Sequence, residues 1–276
     1  MQTARTKDGC RLAYRIHPNV GKPRLVLIHS LALSGAIWDG VVSELSSEFE
    51  ILVYDCRGHG ESDKQAGPYT VELFAEDLAE LLDSCGWASA AVAGCSMGGC
   101  VAQAFAAAYP QRALGLGLID TTAWYGPTAL KDWSDRAAKA AKDGFASMIA
   151  FQLTRWFSET FVNAHPEQTQ KFSRTFLAND MACYQASCGM LGSADLRNAA
   201  RGLRVPVSVI VGEEDYATPI AMSQSLRDMI PGSTLTVIPG GRHLTPVQCP
   251  QQIASLLKQL VAGTRARTSA QAGGDD

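Results

Sequence analysis

Residues Gly94-Cys95-Ser96-Met97-Gly98 follow a small apolar run, Ala90-Ala91-Val92-Ala93, and lead into an alanine-rich stretch of helical character. Few local patterns constrain a fold so tightly. A serine flanked by glycines at the junction of a strand and a helix requires a sharp, strained turn. The neighbours then have no room for a Cβ, and the hydroxyl stands exposed above a sheet. Chance supplies the pentapeptide easily in a chain with 25 glycines, so the flanking strand and helix carry the weight of the reading.

The rest of the chain supplies a sheet for that turn. Strand-like runs recur at Leu25–Ile28, Ile51–Tyr54, Ala90–Ala93, Leu114–Ile119, Val207–Val211 and Leu235–Ile238, separated by helical patterns. Such alternation predicts a mostly parallel sheet with helices on both faces. Met1 to Arg15 mixes charges into a short alternating pattern and reads as one further strand rather than a signal peptide. Periodicity predicts a helix with Val71, Phe74, Leu78, Leu81 and Leu82 on its buried face and Glu72, Glu76, Asp77 and Glu80 turned outward. Between Thr122 and Arg201 the β-rich runs disappear, while Trp, Phe, Met, Lys and Arg recur at helical spacing. So long a connection must carry its own helices. The expected organisation is a core at 1–121 and 202–264, a helical cap inserted at 122–201, and a disordered tail at 265–276.

Composition narrows the function classes. The 276 residues are 46% hydrophobic, enough for a large α/β domain, and the net charge of −3 leaves no electrostatic footprint for nucleic acid or an anionic membrane. No uninterrupted apolar stretch is long enough to span a bilayer, and the cytoplasm is the default location. The eight cysteines include no C-x-x-C pair, which argues against structural zinc. Nucleotide, flavin and metalloprotease signatures are absent as well, so the chemistry is expected to need no cofactor and no metal.

A serine hydroxyl needs a base, and with five histidines the search is exhaustive. His17 falls in the N-terminal strand region, His165 in the cap, and His29 and His59 directly after core strands. His243 stands in a glycine-bearing loop after the last strand, at the sheet edge where Ser96 emerges, and is the expected base. The carboxylate that would fix its tautomer is sought in Glu213-Glu214-Asp215, after the preceding strand. Asp215, just before Ala217-Thr218-Pro219, is the best placed, and Asp120 at the end of an earlier strand is the alternative. An oxyanion hole requires two backbone N–H groups. Met97, directly after the serine, is expected to supply one and Leu31, in the loop after Ile28, the other. Ser30 beside it either contacts substrate or is a plain loop hydroxyl.

The order Ser96, Asp215, His243 and the block Asp55-Cys56-Arg57-Gly58-His59-Gly60-Glu61-Ser62 resemble the α/β-hydrolase fold superfamily over nearly the whole chain. His29-Ser30-Leu31, Trp38-Asp39, Ser96-Met97-Gly98-Gly99, Arg155-Trp156-Phe157 and His165-Pro166 are similar to the 3-oxoadipate enol-lactonases of aromatic catabolism. Those enzymes usually carry Asn-Ser-Leu-Gly where His29-Ser30-Leu31-Ala32 stands here, and glutamate at the position of Gln248. The narrower resemblance implies a serine hydrolase opening a small lactone or ester that bears a carboxylate, with no nucleic acid or membrane partner. Lys131, Arg136, Lys139, Lys142 and Arg155 are the cap cations that such a carboxylate could meet. Arg136 is preferred, because Trp133 and Arg136 resemble a Trp-x-x-Arg element of the enol-lactonase cap. Trp124, Trp133 and Trp156 are candidates to line the pocket, and packing of the cap on the core explains them equally well. The same triad serves carboxylesterases and carbon–carbon bond hydrolases of ring-fission products. Hydrolase-derived small-molecule receptors share this fold too.

Overall fold

The computed structural model describes residues 1–272 and holds one eight-stranded sheet. In chain order the strands are β1 (Gln2–Arg5), β2 (Arg11–His17), β3 (Arg24–Ile28), β4 (Glu50–Tyr54), β5 (Ala90–Cys95), β6 (Ala113–Ile119), β7 (Val207–Gly212) and β8 (Thr234–Ile238). They lie side by side as β1-β2-β4-β3-β5-β6-β7-β8. From β4 to β8 all pairings are parallel; β1 and β2 join antiparallel at one edge. The N-terminal segment is thus a hairpin of two strands, not the single strand expected. Gly9, at φ +88°, makes the turn that the alternating pattern conceals.

Central strands buried on both faces read as continuous apolar runs, and every residue of β5 and β7 is buried. Helices α1 (Asp39–Leu45) and α12 (Pro250–Ala272) pack together, while α2 (Val71–Ser84) and α3 (Met97–Ala108) form a second layer. Gly115 and Gly117 let α12 approach β6 closely: a Cβ on Gly117 would lie 2.7 Å from Leu257. Between β6 and β7 there is no strand, but α4 (Ala129–Asp143), α5 (Ile149–Trp156), α6 (Glu159–Ala164), α7 (Pro166–Leu177), α8 (Met181–Ser193) and α9 (Arg197–Gly202). The first five form the helical cap, whereas α9 packs on α3 and on α10 (Ile220–Met229). After β8 comes a short α11 (Thr245–Gln248). Of the tail expected at 265–276, the backbone through Ala272 continues α12, and residues 273–276 lie outside the described residues.

Helix α2 starts where Thr70 accepts a hydrogen bond from the Leu73 amide, and it buries the apolar face that its periodicity foretells. Asp77 departs from that pattern. It is buried, not outward, because Arg57 reaches it from the loop after β4 through two bonds, Nε to Oδ2 at 2.6 Å and Nη2 to Oδ1 at 2.5 Å. Arg57 also reaches Asp8 at 2.9 Å, so one guanidinium joins the hairpin turn, the β4 loop and α2. Removing the carboxylate strips the buried guanidinium of its buried partner and leaves it only the more exposed Asp8 carboxylate. Asp77→Ala is expected to lower unfolding free energy by about 3–5 kcal/mol, read as a shifted urea midpoint at unchanged slope.

Candidate active site

The turn between β5 and α3 has the strain its glycines foretell. Ser96 sits at φ +55°, ψ −115°, a region that L-residues avoid. A Cβ on Gly94 would fall 2.0 Å from the Gly98 carbonyl oxygen, and one on Gly98 would fall 2.4 Å from that of Ile28. Both positions therefore exclude any other residue. The turn is anchored to β6 by the Ser96 amide, which donates to Ile119 O at 2.9 Å. Thr121 Oγ1 donates to Ser96 O at 2.7 Å.

Asp215 and His243 arrive from the carboxyl ends of the next parallel strands. Their two loops touch: a Cβ on Gly212 would lie 2.3 Å from Gly241 O. The side chains form one chain of hydrogen bonds, His243 Nδ1 to Asp215 Oδ2 at 2.9 Å and Ser96 Oγ to His243 Nε2 at 2.9 Å. Ser96, Asp215 and His243 are all buried, with 3–6% of their surface exposed. Because the carboxylate accepts from Nδ1–H, the Nε2 lone pair faces the serine hydroxyl. Burial alone would raise the Asp215 pKa. The His243 charge, its hydrogen bond and donors from Thr218 outweigh that effect and hold the carboxyl below its ordinary value. Thr218 Oγ1 at 2.7 Å and the amides of Ala217 and Thr218 at 2.7 and 3.0 Å complete its shell. A buried serine, imidazole and carboxylate in this order can shift a proton off the hydroxyl and produce a nucleophile.

Asp120, the alternative carboxylate, has a different task. Its Oδ1 accepts from the Gly212 amide at 3.0 Å, and its Oδ2 accepts from the Thr245 amide at 3.0 Å and the Thr245 hydroxyl at 2.6 Å. It thereby braces the loop bearing Asp215 against the segment after His243. Burial, aided by the nearby charge of Asp215, pushes its pKa well up. His29 and His59 are buried too. His29 Nε2 accepts from the Cys56 amide at 2.9 Å, so Nδ1 carries the proton and donates to Ser30 O at 2.7 Å. Burial lowers the pKa of His29 to about 4 and that of His59 to about 3, and both rings stay neutral. The peptide bond is trans and planar, so fixing Ser30 C=O in this way turns the Leu31 N–H to the opposite side. Met97 opens α3, where its amide has no helical carbonyl to meet.

The serine opens into a narrow cleft between the core and helices α4 and α5. Ser30, Leu31, Trp133, Arg136 and Trp156 line it together with Ser96 and His243; Met97 is fully buried behind the turn. Trp124 does not reach the cleft, being stacked under Arg197 at 4.0 Å. Lys131 and Lys139 form exposed pairs with Asp135 and Asp143 one helical turn on. The cleft also contains Arg155, one of the five cap cations considered above though not the preferred one, and Tyr125, Gln152 and Thr218, which the sequence reading did not assign to the site. The Tyr125 hydroxyl lies beside Cys100 and Ser96, and burial raises its pKa. Gln152 is buried with its Oε1 unpartnered among the described residues. Arg136 Nε donates to the Tyr184 hydroxyl at 2.8 Å, and its guanidinium lies 5.7 Å from the Trp133 ring centre. Among the described residues no carboxylate pairs with Arg136 or Arg155. Burial, reinforced by the charge of Arg136, presses the Arg155 pKa down. The cap is also tied to the base by backbone. The amides of His243 and Leu244 donate to the carbonyls of Arg155 and Trp156, both at 3.2 Å, at the end of α5 where helical carbonyls lack partners. Gln248 braces the same loop, accepting from the Arg242 amide and donating to Gly240 O and Ser158.

The chain belongs to the α/β-hydrolase fold family, whose model matches residues 23–248. It is a hydrolase of that family. Among curated proteins it is similar to 3-oxoadipate enol-lactonase 2 of Acinetobacter baylyi, with 30% identity over 89% of this chain and 91% of the relative. The enol-lactonase of Burkholderia xenovorans LB400 superposes with a TM-score of 0.89 at 30% identity, covering 95% of this chain and 100% of that one. A thermophilic esterase from Thermogutta terrifontis, solved with malate bound, superposes with a TM-score of 0.87 at 29% identity, covering 96% and 99%. Among the described residues no helix is long and apolar enough to cross a membrane.

Asp215→Asn would keep the shape while presenting an amide to Nδ1, favouring the wrong imidazole tautomer. A loss of kcat of about 10⁴-fold is expected, as for a serine protease triad so altered, with the melting temperature little changed.

Proposed function

We propose that Ser96, His243 and Asp215 act as a catalytic triad that opens a small lactone or ester bearing its own carboxylate, in the manner of a 3-oxoadipate enol-lactonase. The observation that carries this reading is the pairing, in one cleft, of the hydrogen-bonded Ser96–His243–Asp215 chain with two guanidiniums, Arg136 and Arg155, that lack a carboxylate partner among the described residues. A half-buried pair of like charges is unfavourable until an anion enters, and a carboxylate meets a guanidinium through charge-assisted hydrogen bonds. Similarity to enol-lactonases over most of both chains supports the same substrate class.

In this mechanism the Ser96 hydroxyl attacks the lactone carbonyl as its proton passes to His243 Nε2. Charge develops on the carbonyl oxygen between the amides of Leu31 and Met97. The tetrahedral intermediate collapses, the ring C–O bond breaks, and the leaving enolate takes the proton from His243 and becomes a ketone. A water deprotonated by the same imidazole then attacks the acyl-serine and releases the acid. Asp215 orients the ring and stabilises imidazolium throughout. Every group in the cycle is a side chain or amide of this chain, and the partner is the small molecule alone.

The reading is tested by following, through loss of ultraviolet absorbance, hydrolysis of freshly generated 3-oxoadipate enol-lactone beside a short p-nitrophenyl ester. Rapid lactone turnover that falls by about 10⁶-fold in Ser96→Ala is expected, because triad members act as a unit. Ester turnover without lactone turnover would instead make the protein a carboxylesterase; the Thermogutta terrifontis neighbour is described as an esterase. Turnover of a ring-fission dienoate would make it a carbon–carbon bond hydrolase. Arg155→Met is expected to lower kcat/KM for the lactone by about 10- to 100-fold, the worth of one charged hydrogen bond, and to cost a neutral ester much less.

A further inference from the structure

The segment that carries Leu31 is held from two sides. On one, Ser30 O accepts from His29 Nδ1 at 2.7 Å and from the Leu33 amide at 3.3 Å. On the other stands Ala32, a buried residue with a Cβ at φ +59°. That left-handed conformation is disfavoured for a residue with a Cβ, so something must oppose its relaxation. The opposing contact comes from the cap. Asn179, in the connection between α7 and α8, donates from Nδ2 to Ala32 O at 2.8 Å. The same Nδ2 meets Thr175 O at 3.1 Å and Phe176 O at 2.9 Å, two carbonyls of the last turn of α7.

We infer that Asn179 is a positioning residue of the reaction: by clamping the Ala32 carbonyl to the end of α7, it keeps Ala32 left-handed and the Leu31 amide aimed at the oxyanion. The inference rests on the assignment of Leu31 as an oxyanion donor. Asn179 does not touch the substrate cleft. It faces a separate cleft behind the loop, shared with Ser34, Lys64 and Arg174, so its influence on chemistry passes through backbone alone. The bond joins residues 147 positions apart and ties the cap directly to the oxyanion loop. Without it, Ala32 relaxes toward right-handed or extended backbone and the peptide units on either side rotate. An amide displaced by even 1 Å from a developing oxyanion costs up to about 100-fold in rate.

The test uses Asn179→Ala and the double variant Asn179→Ala/Ala32→Gly, with Ser96→Ala as reference. Two readouts follow each: kcat and KM on a short p-nitrophenyl ester, and the rate of inactivation by a p-nitrophenyl alkylphosphonate. In the latter, Ser96 Oγ bonds to phosphorus, p-nitrophenolate leaves, the serine proton passes to His243, and the phosphoryl oxygen occupies the oxyanion position. Asn179→Ala is expected to lower kcat and the inactivation rate together by about 10- to 100-fold, with KM within about twofold of native. Glycine adopts the left-handed conformation without penalty, so the double variant is expected to regain most of that loss. A lowered melting temperature with native kcat and inactivation rate would overturn the inference and leave Asn179 as a cap for the carbonyls of α7. A raised KM that the glycine does not repair would overturn it as well, pointing to a deformed cleft. Should Ser96→Ala itself retain turnover, the triad reading falls and the inference with it; should only Asn179→Ala behave as native, the triad reading stands without it.

Discussion

The positive φ of Ser96 is the constraint on which the rest of the site depends. An L-residue stays there only if its surroundings forbid relaxation, and here they do so through backbone. Gly94 and Gly98 leave no space for a side chain, and Gly98 sits against the carbonyls of Ile28 and His29. The first turn of α3 and the loop after β3 are thus packed main chain to main chain. That contact sets how far the Met97 amide stands from the Leu31 amide before any substrate is present. The same sheet delivers the other two members. Strands β5 to β8 lie in sequence order, so Ser96, Asp215 and His243 emerge along one edge. From β6 comes Asp120, whose carboxylate ties the loop after β7 to the segment after His243.

Core and cap divide the work. Ser96, Asp215 and His243 all follow the ends of core strands, while the charged and aromatic side chains that line the cleft, Trp133, Arg136, Arg155 and Trp156, come from α4 and α5. Such a division lets one core serve different substrates, and relatives of similar resemblance include both enol-lactonases and an esterase.

The sequence made the elbow legible because its glycine spacing is a local, steric requirement, and His243 could be reached by elimination among few histidines. Asp215 could be placed from its position after a strand. Features set by distant partners were hidden. Asp77 reads as an outward residue of an amphipathic helix until Arg57, twenty residues earlier, is found pointing at it. Tyr125 and Gln152 carry no motif, and nothing in the sequence ranks Arg155 above the other cap cations, because whether a cap residue faces the serine depends on how α4 and α5 dock, which periodicity alone does not reveal. Trp124 and Trp133 look equivalent in the sequence, yet one is stacked under Arg197 and the other lines the cleft. The N-terminal hairpin was missed for the opposite reason: its turn is short and its alternation continues almost in phase across it.

The two backbone bonds from the end of α5 to the amides of His243 and Leu244 bear on how a ligand gets in. A cap swinging away as a rigid lid would strip acceptors from both amides and loosen the loop that holds the catalytic base in register. Admission and catalysis would then compete. The route that spares those bonds runs along the flank, where a second hollow bounded by Ala129, Asp132 and Met222 shares Tyr125, Trp133, Arg136 and Arg155 with the inner cleft. Both arginines line that hollow as well as the inner cleft, so the flank carries the same positive charge as the surroundings of the serine.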